Sequence, residues 1–199
     1  MKKNVLTVIL IIFCVTSTVR AQISQEALEN ARQEALQAEG KERSRKQKIY
    51  DDLLETARAE NAVKAIEIRD FVLEADRITF KRGQWKFVTS TTNFISLSGG
   101  KATVQIAFEG APPGPNGIGG ITLEGNASNV VIKTDKKGNT NFSMNVTGAA
   151  ISARVEIRLE KDTYRATANV FPNFSSNRFT LTGYLWPRTE SKVFKGRAF

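Results

Sequence analysis

From position 71 onward, apolar and polar side chains alternate. Ala153, Val155, Ile157 and Leu159 are separated by Arg154, Glu156, Arg158 and Glu160, the period-two pattern of a strand with one buried and one wet face. After Lys161-Asp162 the alternation resumes, with Tyr164, Ala166, Ala168 and Val170 against Arg165, Thr167 and Asn169, which predicts an antiparallel hairpin. A second hairpin joins 130–134 to 142–147 around Asp135-Lys136-Lys137-Gly138-Asn139. Further strands are predicted at 71–75, 94–97, 102–108, 120–123, 179–185 and 193–199. Roughly ten short strands with no helix between them exclude a parallel sheet, which needs crossovers. The expected fold class is therefore all-β: an antiparallel, lipocalin-like up-and-down barrel or a two-sheet sandwich. Short turns and the gain from removing sheet edges favour the barrel.

Residues 22–70 follow a different period. They contain no proline and one glycine, are rich in Ala, Glu, Gln, Lys and Arg, and predict a long charged helix opening at the N-cap Ser24 with Glu26 in its first turn. Leu28, Ala31, Ala35 and Ala38 form a thin apolar stripe. Gly40 and the basic run 41–48 interrupt it, and Ile49, Leu53 and Ala57 resume it beside Tyr50 and Leu54. So much alanine buries little area, so a solvated stalk outside the core is expected. A coiled-coil seam is the alternative, opposed by Glu42 and Arg45 at its continuation.

The first residues read as an export signal. Met1-Lys2-Lys3 is positive, 5–15 is apolar, and Val19-Arg20-Ala21 offers a small-residue cleavage site, a pattern that predicts a signal peptide over 1–21. The apolar run falls short of the roughly 20 residues a spanning helix needs. Cleavage would remove Cys14, the only cysteine. Acylation of Cys14 is the alternative, disfavoured by the bulky Phe13 before it. The expected organisation is signal peptide 1–21, helical stalk 22–70 and β domain 71–199, exported to the periplasm or beyond, with no membrane span in the mature chain.

Charge narrows the partners. The chain carries a formal charge of +9. Residues 71–199 hold 17 basic against 9 acidic side chains, and 22–70 hold 9 against 11. In an exported protein this basic half points away from nucleic acid and toward acidic polysaccharide, lipid headgroups or an acidic protein, although a basic solvent face also serves solubility.

Candidate chemistry is sparse. With no histidine, the commonest general base and metal ligand is missing. No metal site or cofactor is expected. Glu156 and Glu160 share a strand face but stand about 13 Å apart at strand rise, too far for a glycosidase pair. The glycine- and proline-rich segment 110–120 lacks the Lys-Ser or Lys-Thr of a phosphate loop, and reads as a surface loop or as a lid over a barrel end. Trp85, Tyr184 and Trp186 are the candidate ligand-binding residues, large rings with a polar handle that serve ligands or ordinary core packing.

The order of segments carries a resemblance. A charged helix is followed by Asp70-Phe-Val-Leu-Glu-Ala-Asp76, Thr91-Thr-Asn-Phe-Ile-Ser96, the Gly-Pro loop leading to Gly119-Gly-Ile-Thr-Leu-Glu-Gly125, and the closing Val193-Phe-Lys-Gly196. This resembles the domain of unknown function 4251 family of exported Bacteroidota proteins. The resemblance implies a signal peptide, a barrel-like all-β domain and no assigned activity, so it transfers no functional residue. The expectation is a non-enzymatic binding or interaction module of the cell envelope, holding a small apolar or envelope-derived ligand in its barrel. The alternatives are a structural or accessory envelope protein acting through its helix, and a carboxylate-dependent hydrolase.

Overall fold

A computed structural model describes residues 23–107, 119–173 and 176–196; the segment expected to be a signal peptide, Cys14 and most of the Gly-Pro loop lie outside them. The predicted single helix is two. Helix α1 (Gln25–Gln37) starts where expected, the Ser24 hydroxyl accepting from the Ala27 N–H at 3.0 Å. It stops at Ala38, whose backbone is extended. Gly40 then takes a left-handed φ of 56° as α2 (Gly40–Glu67) begins, a conformation glycine adopts without steric cost.

Compactness divides the chain between Ala57 and Arg58. The last turns of α2 therefore belong with the strands, and there the stalk expectation fails: Ala62, Ala65 and Ile66 are at most 2% exposed and join the hydrophobic core. Alanine, which seemed too small to bury much, instead lets a helix approach closely. The helix ends in a Schellman arrangement. Asp70 N–H donates to Ala65 C=O and Arg69 N–H to Ile66 C=O, both at 3.0 Å, with Arg69 in the left-handed region at φ 57°. The chain turns directly into the first strand.

Among the described residues nine strands follow: β1 (Phe71–Phe80), β2 (Trp85–Phe87), β3 (Phe94–Ser98), β4 (Lys101–Ile106), β5 (Ile121–Thr134), β6 (Thr140–Thr147), β7 (Ser152–Leu159), β8 (Arg165–Pro172) and β9 (Phe179–Pro187). All neighbours pair antiparallel. β1 closes the ring, pairing with β9 from Phe71↔Pro187 to Phe80↔Phe179. Its other edge is shared, Phe71 to Glu74 facing β3 and Arg77 to Thr79 facing β2. Eight strands thus form an up-and-down barrel and β2 stands outside the ring, which decides against the sandwich.

The segments predicted at 120–123 and 130–134 are one 14-residue strand, β5. A register shift between Ser128 and Val131, with Asn129 at φ 51°, absorbs the turn signal as a bulge. A second shift lies between Ala75 and Arg77, opposite Gly183. A Cβ on Gly183 would lie 1.9 Å from the Glu74 carbonyl oxygen, so the closing seam requires glycine here.

The inward side chains fill the barrel. Phe71, Leu73, Ala75, Ile78, Ile95, Ala102, Val146, Val155, Ala168, Leu181 and Leu185 are all 0% exposed; no water-sized sphere reaches them. Phe71 packs edge-on against Phe142 with centroids 5.1 Å apart. An eight-stranded barrel is just wide enough for its own side chains, and burying each large one contributes about 1.5–3 kcal/mol. The expected ligand chamber finds no space among these residues.

Residues 193–196 are not the predicted tenth strand, because β1·β9 closure leaves the ring no edge for one. They instead run as a strap, positioned by the fully buried Gln105. The Gln105 amide nitrogen donates to Thr92 C=O at 3.0 Å and Phe194 C=O at 2.8 Å; its oxygen accepts from the Thr122 hydroxyl at 3.0 Å and Gly196 N–H at 2.8 Å. Lys195 pairs with Glu124 at 2.9 Å, and Ser191 donates to Glu74 at 2.6 Å.

The β5–β6 turn is tied in a similar way. Asp135 accepts from the Lys137 and Asn139 N–H groups and from the Asn139 side-chain amide, and Asn139 Oδ1 accepts from Lys161 N–H at 3.1 Å, joining this turn to the next hairpin. The Asn139 amide, then the Asn139 and Lys137 N–H groups and Arg158, hold the Asp135 carboxyl below its usual 3.8 despite an opposing desolvation.

Three outcomes follow from this packing. Gly183→Ala should lower unfolding free energy by about 3 kcal/mol in denaturant titration, the upper part of the overpacking range. Gln105→Ala should cost about 2–4 kcal/mol and expose 191–196 to limited proteolysis at native pH. Because the folded Asp135 pKa is depressed, its stabilisation is present above pH 3.8 and lost as pH falls through the lower folded value. The protection of the Lys137 and Asn139 amides, taken relative to their intrinsic exchange rates at each pH, should therefore fall in acid, and Asp135→Asn should remove that fall.

Candidate binding site

With the interior filled, a site must be built from outward-facing residues. On β9, Leu181 and Leu185 enter the core, which sends Tyr184 and Trp186 to the outer wall. Tyr164, just before β8, lies beside them, its ring centroid 4.8 Å from that of Tyr184 and 4.9 Å from that of Trp186. All three rings are half-buried. The register makes the cluster: Arg165 faces Tyr184, and Leu185 N–H donates to Tyr164 C=O at 2.8 Å.

Two guanidinium groups flank the rings. Arg58, from the part of α2 that belongs with the barrel, places Cζ 5.5 Å from the Tyr164 centroid and 5.6 Å from that of Trp186, and donates to the Tyr164 hydroxyl at 3.4 Å. Arg165 places Cζ 5.2 Å from the Tyr184 centroid and donates to its hydroxyl at 3.1 Å, with Asp76 4.0 Å away. Cation–π contact and hydrogen bond together fix the plane of each guanidinium. Such a surface offers ring faces for stacking and oriented donors for an anion.

Of the three residues singled out from sequence, the fold brings together Tyr184 and Trp186 and sets Trp85 apart. Trp85 pairs with Thr79, whereas Tyr184 pairs with Glu74, about 16 Å away along β1 at strand rise and across it on the opposite edge. The 164–170 alternation placed Tyr164 and Arg165 in a hairpin without showing that β9 lies next to it. Nothing in the helical pattern marked Arg58.

A shallow groove of about 410 Å³ crosses the outer wall of β5 to β8, with Lys133, Arg154, Glu156, Arg158, Thr167 and Asn169 among its lining. Seven described acids from Asp70 onward pair with cations or hydroxyls: Glu156 with Arg154, Asp135 with Arg158, Glu124 with Lys195, Asp162 with Lys161, Asp76 with Arg165, Asp70 with Arg188 and Glu74 with Ser191. Among the described residues no three His, Cys, Asp or Glu side chains gather around a cation position, and no helix is long and apolar enough to cross a membrane.

The family described as a domain of unknown function (DUF4251) matches residues 54–185, a span that includes Arg58, Tyr164, Arg165 and Tyr184 and stops one residue before Trp186. A crystal structure of a DUF4251 family protein from Bacteroides eggerthii DSM 20697, at 1.95 Å resolution, has a TM-score of 0.64 at 43% sequence identity, covering 74% of this chain and 99% of that one. No curated protein matches the chain. With the matched span running from the middle of α2 to the closing strand, and a relative of that identity sharing the fold, the chain belongs to the DUF4251 family.

Proposed function

We propose that this protein is a non-enzymatic binding module of the cell envelope that takes its ligand on the outer wall of a solid barrel, at Tyr164, Tyr184 and Trp186. The reading assumes the export signalled by residues 1–21. The observation that carries it is the pairing of a filled interior with an outer cluster of three rings and two oriented guanidinium groups. Donors fixed before binding reduce the entropy cost of recognition. The chemistry suits a sugar ring bearing a carboxylate or phosphate, the ring on the aromatics and the anion on Arg58 or Arg165. The ion-paired carboxylates support a non-catalytic role over a hydrolase, whose general acid would need an environment favouring its neutral form.

A second reading, an accessory protein acting through its helix, draws on residues 23–53 lying upstream of the family match and exposing Leu36 and Ile49. Removing residues up to 53 should abolish partner recovery if that reading holds, and leave sugar binding intact if the first does.

The test is calorimetric titration with alginate oligosaccharides, soluble uronic-acid chains, with maltooligosaccharides as the neutral control. Saturable binding of the acidic series is expected, weakened about tenfold or more by Trp186→Ala. Arg165→Gln should reduce preference for the acidic over the neutral series. Equal affinity of parent and Trp186→Ala, with the fold intact by circular dichroism, would place binding elsewhere.

A further inference from the structure

The β1–β2 hairpin lies on a different part of the barrel and nothing above uses it. Residues Lys81 to Phe87 are all exposed. Phe80 N–H donates to Gln84 C=O at 2.7 Å, Gly83 N–H donates to Phe80 C=O at 2.9 Å, and Gly83 takes a φ of 83°, so the turn is a defined structure. It lies past the last closing pair, Phe80↔Phe179, and therefore projects beyond the sheet that seals the ring.

Trp85 and Phe87 share one face of β2 and are 56% and 77% exposed, their centroids 5.1 Å apart and planes at 78°. The pair lies beside Arg77 to Thr79, on the strand that returns from the turn, and neither ring belongs to the core cluster. Three cations, Lys81, Arg82 and Lys86, lie in the same seven residues, and along the sequence no acidic residue occurs between Asp76 and Glu109.

We propose that this hairpin is a docking tip for an anionic bilayer surface, with Trp85 and Phe87 entering the headgroup–acyl boundary while Lys81, Arg82 and Lys86 sit among the lipid phosphates. Aromatic side chains with a polar edge favour that boundary, and lysine and arginine reach outward from it to the headgroups. Ring geometry separates this occupant from a polysaccharide. Rings set edge to face offer no shared flat platform for a sugar, whereas an acyl boundary requires no ring orientation. Charge complementarity selects anionic over zwitterionic lipid, each cation near the surface strengthening attachment about fivefold.

The chain has two tryptophans, so Trp186→Phe leaves Trp85 as the sole emitter. Mixed with vesicles of phosphatidylglycerol and phosphatidylethanolamine, this variant should show a blue shift of Trp85 emission and quenching by brominated acyl chains. Vesicles of phosphatidylcholine alone should produce neither. Lys81→Glu, Arg82→Glu and Lys86→Glu together should weaken cosedimentation at least a hundredfold, and added salt should weaken it in the parent. Trp85→Ser with Phe87→Ser should abolish the acyl-dependent part. These positions are exposed, so their variants should fold; if Trp186→Phe does not, cosedimentation of parent against the hairpin variants decides. Vesicle binding with unchanged Trp85 emission, as the apolar run 5–15 alone would give, overturns the proposal. So does retention by soluble acidic polysaccharide without vesicle binding, or pelleting unaffected by the hairpin variants. A chain that docks on vesicles but ignores alginate, or the reverse, separates this site from the ring cluster.

Discussion

The β1·β9 seam is the contact on which the rest of the molecule depends. Every other strand pair joins neighbours along the sheet; this one joins its two ends and turns a twisted meander into a closed surface. Closure satisfies the backbone of two would-be edges at once. It also sets the circumference and hence the space inside, which Phe71, Phe142 and the branched aliphatics fill. The seam does not close evenly: β1 skips a residue between Ala75 and Arg77 where β9 has Gly183. A closed sheet must bend somewhere, and here it bends at the residue with no side chain to obstruct it.

Two consequences shape the candidate sites. A filled interior leaves the outer face as the surface open to a ligand, and there side chains from successive strands stand side by side. A sealed ring also offers little to chain segments beyond it: β2 is attached only to part of one edge of β1, and residues 191–196 are held by the Gln105 amide, the Lys195–Glu124 pair and one backbone bond from Phe194 N–H to Thr91 C=O instead of a ladder. The projecting hairpin and the strap are both products of a sheet with no vacancies.

Much of this was legible in the alternation of residues. The 153–160 and 164–170 pattern is local, and burial enforces it, since a slip by one position would put Arg154 and Arg158 inside. The Ser24 cap is local too. What the sequence concealed was non-local. Strands read separately at 120–123 and 130–134 left a gap between them, but neighbouring strands hold both halves of β5 in one ladder and the excess becomes a bulge. The apolar-polar pattern of 193–199 suited a strand, yet pairing needs an available edge, and that depends on how distant residues have closed. The alanine-rich helix read as a weak core former, and its pattern did not mark Ala62 and Ala65, because the sequence gives side-chain area and hides backbone proximity. For the same reason Tyr184 and Trp186 could be chosen by type, while Arg58 and Tyr164 needed the fold to bring them in, and Trp85 needed it to be set apart.

The amide of Gln105 shows how a polar side chain can be irreplaceable by its nearest look-alike. Two carbonyls face its nitrogen, and a hydroxyl and an N–H face its oxygen, so its four valences for hydrogen are all matched by kind. Glutamate occupies the same volume, yet would turn two donors into lone pairs aimed at the oxygens of Thr92 and Phe194. Shape is therefore the lesser constraint at this site; donor and acceptor polarity, read in order around one planar group, determines which residue can anchor the tail.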